Sequence, residues 1–243
     1  MKIHRFIGSF DLDKKEIVIT DPEIVHQLLK VLRFKKGDIF VLADGQEKEM
    51  LVRVKKVTAL EVVISREKML SRYKEVTPQV SLYLALLKKE NFEWVAQKAT
   101  EIGISELIPV HTDRVVKQNI NEERVRKIMK EAAEQSGQVI VPKLLSPVSL
   151  KRALEVSSGS GNSWFMDETG VPTEKMISKT KRGSLSLFIG PEGGWTEEEK
   201  TGAKKMKAEI VSLGETTLRA ETAAIIAAYI AKTAVNKSKK AVR

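Results

Sequence analysis

The stretch SLSLFIGPEGGW (residues 184–195) decides the class of fold, because an apolar run typical of a buried strand leads straight into a glycine-rich loop. Thr196, with Glu199 three residues later, then forms a capping box that starts a helix. Glycines at the carboxyl end of a strand let a ligand approach the backbone closely, and α/β sheets bind ligands at that end. A tight strand-to-helix turn uses the same residues, so these positions alone leave a ligand site and a plain turn both open.

The sequence around this stretch, from position 79 onward, repeats the alternation of strand and helix. Such alternation predicts a mostly parallel sheet with helices on both faces, which is the α/β class. The last helix, over 219–235, is apolar nearly all round, which predicts that it is buried, against the chain itself or against a second subunit. The predicted strands fall in 80–87, 106–110, 163–166, 184–190 and 208–214, and two further helices fall in 91–102 and 121–136.

The first 66 residues have a different texture. Their predicted strands are short, β-branched and broken by turn residues, which is typical of a small barrel. One helix over 22–33 interrupts them, with Asp21 as its N-cap and Pro22 at its first position. The charged segment 66–78, closed by Pro78, is the predicted linker. The strands fall in 4–8, 16–20, 38–44, 50–57 and 60–65.

The composition narrows the classes of function. The 243-residue chain has a net charge of +10, no cysteine and three histidines. Without cysteine there is no disulfide, thiolate metal site or cysteine nucleophile, and three scattered histidines do not support a zinc site, so we expect no metal. No apolar run is long enough to span a membrane and the first residues lack a secretory signal, so we expect a cytoplasmic protein. The positive charge favours a polyanionic partner such as RNA, although a solvated basic surface gives the same excess.

A second glycine-ended strand occurs in SLGETTLRAETAA (residues 212–224). Its strand ends at Leu213 and Gly214, and after a short loop Arg219 and Glu221 stand at the start of the last helix. A charged pair beside an otherwise apolar helix is costly unless the charges are paired or used, although capping the helix at the surface also explains it. The first loop, IGPEGGW, matches neither GxxxxGK[ST] nor GxGxxG, so it does not support a P-loop or a dinucleotide-binding fold.

Four motifs in chain order resemble one known family: KATEIGISELIPVHTDRVV (98–116), EAAEQSG (131–137), GPEGGW (190–195) and LGETTLRAETA (213–223). They are similar to those of the ribosomal RNA small subunit methyltransferase E family, the 16S rRNA uridine-N3 methyltransferases of the SPOUT class. HRFIG (4–8) and HQLLKVLRFKKGD (26–38) resemble the same family's N-terminal RNA-binding barrel. The resemblance implies a PUA-like β-barrel over 1–72 and a trefoil-knotted α/β methyltransferase domain over 73–243. It also implies a homodimer with its site near the subunit interface.

The resemblance further implies that the chain binds S-adenosylmethionine in a bent form and methylates N3 of a uridine in 16S rRNA, as naked rRNA or in the assembled 30S subunit. Met166 is a further candidate for the pocket wall, with core packing as the alternative. For catalysis we expect Arg114 or Arg219 to stabilise the uracil anion and Glu221 or a water molecule to accept the N3 proton. The cofactor residues carried over are Ile189, Gly190, Pro191, Glu192, Gly193, Gly194, Leu213, Gly214, Leu218, Arg219, Glu221 and Thr222.

A set of cationic and polar side chains is expected to contact RNA. His26, Lys30 and Arg33 have i, i+4, i+7 spacing, which predicts one shared helix face opposite the apolar stripe, with a solvated polar face as the alternative. The full set is Arg5, His26, Lys30, Arg33, Lys35, Lys88 and Gln135.

The chain departs from the family at Gln138, where EQSG is usually followed by arginine. If the family's arginine contacts RNA phosphate, glutamine at this position weakens that contact. If the arginine orients the target base, the change makes the assignment of the substrate less secure. The sequence leaves two other functions open. One is another SPOUT reaction, methylation of the ribose 2′-oxygen, and the other is a non-catalytic RNA-binding role in ribosome assembly.

Overall fold

A computed structural model describes residues 3–72, 79–114, 119–159, 161–181 and 183–240 of the chain. Its internal contacts divide the chain into two compact units. The first unit comprises residues 1–75 together with 133–141, and the second comprises 76–132 together with 142–243.

The first unit contains a five-stranded sheet in the order β1-β3-β4-β5-β2. Strands β1 and β3 are parallel, and the other neighbours are antiparallel. The largest side chains of its apolar core include Phe40, Leu42, Met50 and Ile64, together with Leu28 from the helical segment. The elements are β1 (Arg5–Ile7), β2 (Glu16–Ile19), helix α1 (Pro22–His26), a π-helical turn (Gln27–Val31), β3 (Ile39–Ala43), β4 (Lys48–Val57) and β5 (Val62–Arg72).

The predicted linker over 66–78 is wrong for its first seven residues. Strand β5 continues to Arg72 and stays paired with β4 through several register shifts. The charges of this segment do not prevent a strand, because one face of an antiparallel sheet faces water. Arg53 on β4 donates to Glu67 on β5 at 2.8 Å and so stabilises this pairing. Residues 73–78 lie outside the described part of the chain.

The predicted continuous helix over 22–33 is also wrong. Asp21 caps α1 as expected, but from Gln27 the backbone widens into π-helical bonding, with the Leu32 amide donating to the Gln27 carbonyl five residues earlier at 2.9 Å. Arg33 then adopts a left-handed φ of 55°. The i, i+4, i+7 argument assumed an α-helix throughout, so it does not place Arg33 on one helix face with His26 and Lys30.

The second unit confirms the predicted parallel sheet. Its strand order is β12-β10-β11-β6-β7-β8, β9 pairs with β7, and every pairing is parallel. The strands are β6 (Val80–Ala85), β7 (Glu106–His111), β8 (Lys143–Leu144), β9 (Val148–Ser149), β10 (Asn162–Pro172), β11 (Leu185–Ile189) and β12 (Glu209–Ser212).

Helices cover this sheet in two groups. Buried residues of α4 and α6 join one cluster with Tyr83, Phe165 and Phe188 of the sheet. Helix α7 instead packs against α2 and α5 and against strands β6 and β11. As predicted, Asn121 accepts from the Arg124 amide at the start of α3, and Gly137 follows its last residue. The helices are α2 (Lys89–Ile102), α3 (Glu122–Ser136), α4 (Leu150–Ser157), α5 (Thr173–Lys179), α6 (Glu197–Lys205) and α7 (Ala220–Lys240).

The rest of the chain covers only one side of helix α7. Alanines such as Ala224, Ala227 and Ala231 are buried, and their small size allows close packing against the neighbouring helices and strands. Ile226 and Tyr229 are 39% and 65% exposed. Within the described ranges, no helix is long and apolar enough to cross a membrane.

Strand β10 contains an acidic bulge, residues 167–170. Met166 and Val171 both lie opposite Val211 of β12, so the four residues between them leave the ladder. Asp167 accepts from the Thr169 amide at 3.0 Å, which stabilises the turn. A Cβ on Gly170 would lie 2.5 Å from the Val211 backbone nitrogen, so the return to the ladder requires glycine.

We therefore expect Gly170→Ala to lower the free energy of unfolding by about 1–3 kcal/mol, because backbone atoms of β12 must move to admit the methyl group. Urea denaturation followed by circular dichroism measures the change. Gly202→Ala is the matched control, since a Cβ there meets nothing within 4 Å and α6 gains a better helix former. Equal stability of Gly170→Ala and the wild type would contradict the close approach of β10 and β12.

Candidate functional site

A cleft with a volume of about 890 Å³ lies in the second unit, at the carboxyl ends of β11 and β12 and beside the acidic bulge of β10. Both glycine-ended loops identified in the sequence line it, as do all three predicted catalytic residues, Arg114, Arg219 and Glu221. Lys88 and Met166 also lie on its wall. The structure brings together every predicted cofactor residue except Thr222, namely Ile189, Gly190, Pro191, Glu192, Gly193, Gly194, Leu213, Gly214, Leu218, Arg219 and Glu221.

The glycine loop, residues 190–195, is a tight turn as well as a cleft wall. The Gly194 amide donates to the Pro191 carbonyl at 2.9 Å, and Gly194 has a φ of 71° that favours glycine. A Cβ on Gly190 would lie 2.9 Å from the indole ring of Trp195, so Gly190 lets this ring pack directly against the backbone. The turn that the sequence allowed is therefore present, and the same residues line the cleft.

Three hydrogen bonds tie the glycine loop to β10 and to the segments that follow β6 and β7. The Lys88 amide, after β6, donates to Glu192 at 3.3 Å. The Arg114 guanidinium, after β7, donates to the Gly193 carbonyl at 2.7 Å. The Trp195 indole donates to the Met166 carbonyl in β10 at 2.9 Å. Because each bond reaches the chain in or after a different strand, the loop is fixed relative to the sheet.

The capping box predicted at the start of α6 is present and has a second use. The Thr196 amide donates to Glu199 at 2.8 Å, and the Glu199 amide donates to the Thr196 hydroxyl at 3.2 Å. The other carboxylate oxygen of Glu199 accepts from the Asp113 amide at 3.0 Å. Glu199 is buried, so these bonds compensate the cost of burying its charge. They also fix the backbone next to Arg114.

The second loop, residues 213–219, also contributes to the cleft wall and contacts the acidic bulge. Thr217 donates to Glu168 at 3.1 Å, and the Ser212 hydroxyl bonds to both backbone groups of Gly214. Among the described residues, the side chains of Arg219 and Glu221 have no hydrogen-bond or ion-pair partner. The charged pair is therefore not explained by mutual pairing.

Sequence reasoning missed the charged rim of the cleft. Asp167 and Glu168 from the bulge, with Glu197 and Lys200 from α6, line the wall. Lys200 lies 2.6 Å from Glu197 and 3.8 Å from Asp167. The hydrogen bond that Lys200 donates to Glu197, with the charge of Asp167, raises the pKa of Lys200 above its ordinary value. The available signal was the sequence DETG (167–170) directly after the predicted strand 163–166. It did not reveal the bulge, because the bulge depends on how β10 pairs with β12.

An aromatic row supports the floor of the cleft. Tyr83 stacks on Phe188 with ring centres 4.5 Å apart, and Phe165 lies 5.9 Å from Phe188 and 4.1 Å from Trp195. Burial raises the pKa of Tyr83, with the charge of Glu106 adding to the effect, so the phenol stays neutral at physiological pH. These ring contacts pack against Trp195 and restrict its movement.

The other predicted RNA-binding residues belong to the first unit. His26, Lys30, Arg33 and Lys35 are exposed there. Arg5 instead forms an ion pair with Glu49, and its guanidinium lies 3.1 Å from where a Cβ on Gly137 would be. Gln135, near the end of α3, is exposed. In the part of the chain that the structure describes, no cluster of histidine and acidic side chains could hold a metal ion.

The chain matches the family of RNA methyltransferase domains over residues 74–232. Among curated relatives, ribosomal RNA small subunit methyltransferase E of Synechocystis sp. is 33% identical over 84% of this chain and 68% of its own length. The protein of the same name from Bacillus subtilis is 30% identical over 84% of this chain and 85% of its own length.

Solved structures share the fold. A putative methyltransferase from Legionella pneumophila, in complex with the cofactor S-adenosylmethionine, has a TM-score of 0.85 at 25% identity, covering 96% of this chain and 98% of its own. Ribosomal RNA small subunit methyltransferase E from Neisseria gonorrhoeae has a TM-score of 0.80 at 24% identity, with the same coverage. With the family match and relatives at 30% identity or more, the chain belongs to the ribosomal RNA small subunit methyltransferase E family.

Proposed function

We propose that the chain transfers a methyl group from S-adenosylmethionine to N3 of one uridine in small-subunit rRNA. The observation that carries the proposal is the cleft in which the two glycine-ended loops meet Arg114, Arg219 and Glu221. Family membership supports rRNA as the substrate, and the Legionella pneumophila structure with its bound cofactor supports the methyl donor. Because the substrate is ribosomal, we place the reaction in the cytoplasm.

The residues present fit S-adenosylmethionine. The volume of about 890 Å³ is in the range of small-molecule sites, and Ile189, Leu213 and Leu218 supply apolar wall on which an adenine ring can pack. The glycine loop presents backbone beside these side chains, where the edge of the ring can be hydrogen-bonded. When bound, the cofactor supplies an electrophilic methyl group on a sulfonium. Thr222, which is off the cleft wall, is not part of this proposal.

We assign catalysis to the positioning of the uridine against the methyl group and to the two unpaired charges, Arg219 and Glu221. Holding the uridine in line with the methyl group contributes up to about 7–11 kcal/mol by orientation. The N3 proton must leave, and Glu221, directly or through a water molecule, is proposed to accept it. Arg219 stabilises the negative charge that develops on uracil. Arg114 is proposed to act nearby, with its position set by the Gly193 carbonyl.

RNA binding is proposed for the exposed cations of the first unit and for Lys88. His26, Lys30, Arg33 and Lys35 are placed to contact phosphates, which fix the register of the substrate without reading its sequence. Arg5 is proposed to act through its ion pair with Glu49, which supports the segment around Gly137. Gln135 and Gln138 lie in that segment, on either side of Gly137. The target base must leave its stack to expose N3.

The finer features of the fold are proposed as well. We propose that the five-stranded sheet is a PUA-like barrel, that the domains divide as 1–72 and 73–243, and that the second domain is a trefoil knot. The sheet order supports the knot: β12 is an edge strand, yet α7 after it packs back on the interior strands β6 and β11. The segment 213–219 must therefore cross β10 to reach its helix.

A homodimer is proposed through α2 and α7. These two helices pack against each other, and their outer surfaces carry Trp94, 51% exposed, and Tyr229, 65% exposed. Large exposed aromatic side chains on neighbouring helices are typical of protein contact surfaces. Lys88 and Asn91 at the start of α2 line the cleft, as do Ala220, Glu221 and Ala223 at the start of α7, so this surface adjoins the site.

The function is tested by mapping modified nucleosides in small-subunit rRNA from cells with and without the gene. We expect N3-methyluridine at one position to be lost on deletion and restored by the wild-type gene, with mass spectrometry as the measurement. A lost methyl group on ribose would instead favour 2′-oxygen methylation. No change in rRNA and no S-adenosylmethionine binding by calorimetry would favour a non-catalytic assembly factor.

The catalytic assignments predict separate defects in methyl transfer. Glu221→Gln should lower kcat by about 10²-fold or more, because a positioned general base contributes that much. Arg219→Ala should lower kcat by about 10²–10³-fold through loss of charge stabilisation. Glu215→Gln, in the same loop but off the cleft wall, is the control and should keep wild-type rates. Single-turnover assays measure all three, and a wild-type rate for Glu221→Gln would remove that residue from the mechanism.

The dimer proposal predicts that Tyr229→Glu shifts the protein to monomers in sedimentation velocity experiments, because a charge cannot be buried unpaired in an apolar contact. Val156→Glu places the same charge on α4, at a valine that is also exposed, and should leave the dimer intact. A dimer that survives Tyr229→Glu and Trp94→Glu would show that α2 and α7 do not form the contact.

A further inference from the structure

Trp195 contacts both walls of the cleft but has no part in the proposed chemistry. Only 5% of it is exposed, and it lines the cleft. Its indole nitrogen donates to the Met166 carbonyl at 2.9 Å, and its ring packs where a Cβ on Gly190 would be only 2.9 Å away. It therefore touches the first residue of the glycine loop and the last residue before the acidic bulge.

The surroundings of Trp195 leave this indole little freedom. Phe165 packs 4.1 Å from it, ring centre to ring centre, and Phe188 and Tyr83 continue the aromatic row. A buried indole N–H that loses its acceptor is costly, so the ring orientation that satisfies the Met166 carbonyl is strongly preferred. The position of the bulge and the position of the glycine loop are thus coupled through one side chain.

Met166 is the point at which this coupling reaches the ligand space. It is the last residue of β10 in register with β12 before the bulge, and the next two residues, Asp167 and Glu168, line the cleft. Glu168 in turn accepts from Thr217 of the second loop. A shift of the Met166 carbonyl therefore moves the bulge and, through Glu168, the second loop.

We propose that Trp195 is a positioning residue for cofactor binding: its indole N–H holds the glycine loop and the acidic bulge at the separation that S-adenosylmethionine requires. The inference rests on the proposed function, since it takes the cleft to be the cofactor site. Trp195 acts through the backbone of Met166 and Gly190, not on the reacting atoms. Its loss therefore weakens cofactor affinity more than it slows methyl transfer at saturation.

The test compares Trp195→Phe with Trp164→Phe in the full chain, with S-adenosylmethionine as the probe. Trp195→Phe keeps an aromatic ring and removes the N–H, and we expect Kd in calorimetry to rise roughly three- to tenfold. The single-turnover rate at saturating cofactor should change by less than about twofold, the signature of lost binding without lost chemistry. Trp164 is 1% exposed and off the cleft wall, so the same substitution there should leave Kd unchanged.

A spectroscopic readout separates positioning from general stability. The protein has three tryptophans, and the indole resonance that is missing in Trp195→Phe identifies the Trp195 N–H. That N–H should exchange slowly with solvent and shift when S-adenosylmethionine is added, while the Trp164 signal stays in place. A Trp195 signal that ignores the cofactor would overturn the proposal, as would an unchanged Kd in folded Trp195→Phe.

Gly190→Ala provides an independent variant if Trp195→Phe folds poorly. Its methyl group would lie 2.9 Å from the indole and so displaces the ring while keeping tryptophan in place. We expect a comparable rise in Kd together with a shifted Trp195 resonance. An unshifted resonance with unchanged affinity would overturn the inference. Failure of the wild-type protein to bind S-adenosylmethionine would instead refute the proposed function, so the two failures are distinguishable.

Discussion

The buried carboxylate of Glu199 is the constraint on which the site depends. A buried charge is tolerated only when it is fully hydrogen-bonded, and Glu199 meets this by accepting from the Thr196 amide with one oxygen and the Asp113 amide with the other. The first bond starts α6 directly after the glycine loop, and the second fixes the chain beside Arg114. Arg114 then reaches the Gly193 carbonyl. One side chain thus orders both the end of the glycine loop and the cation beside it.

Backbone geometry, more than side-chain chemistry, creates the space of the cleft. Gly190 lets the indole of Trp195 lie against the strand end, and Gly170 lets β10 return to β12 after the acidic bulge. Because neither position admits a Cβ without a clash, the loops on the two sides are shaped by what their glycines allow. The parallel sheet brings these strand ends to one edge, which is why residues far apart in sequence share one wall.

The sequence predicted the parts of the structure that depend on local pattern. Apolar periodicity placed β6, β7, β11, β12, the first part of β10 and the helices α2, α3 and α7, and the Thr196–Glu199 capping box starts α6 as predicted. The sequence did not predict the short elements β8, β9, α4 and α5. It failed where non-local pairing decides: residues 66–72 form strand because β4 lies beside them, and the bulge exists because Met166 and Val171 share one partner. Periodicity also assumed an α-helix through Arg33, where the backbone widens into a π-helical turn. The two loops could be identified because their motifs are local in sequence. The hydrogen bonds that anchor them could not, because they join residues that are far apart in sequence.

The charges of the cleft divide into those that hold it together and those that remain for a ligand. Lys200 is compensated by Glu197 and Asp167, and Arg114 is bonded to a backbone carbonyl. Among described side chains, Arg219 and Glu221 stand at the start of α7 without such partners. Charges that are already compensated change little when a substrate arrives, whereas unpaired ones lose solvent and gain a partner at that moment. We therefore propose that the chemistry takes place at the start of α7 and that the glycine loop holds the methyl donor in position.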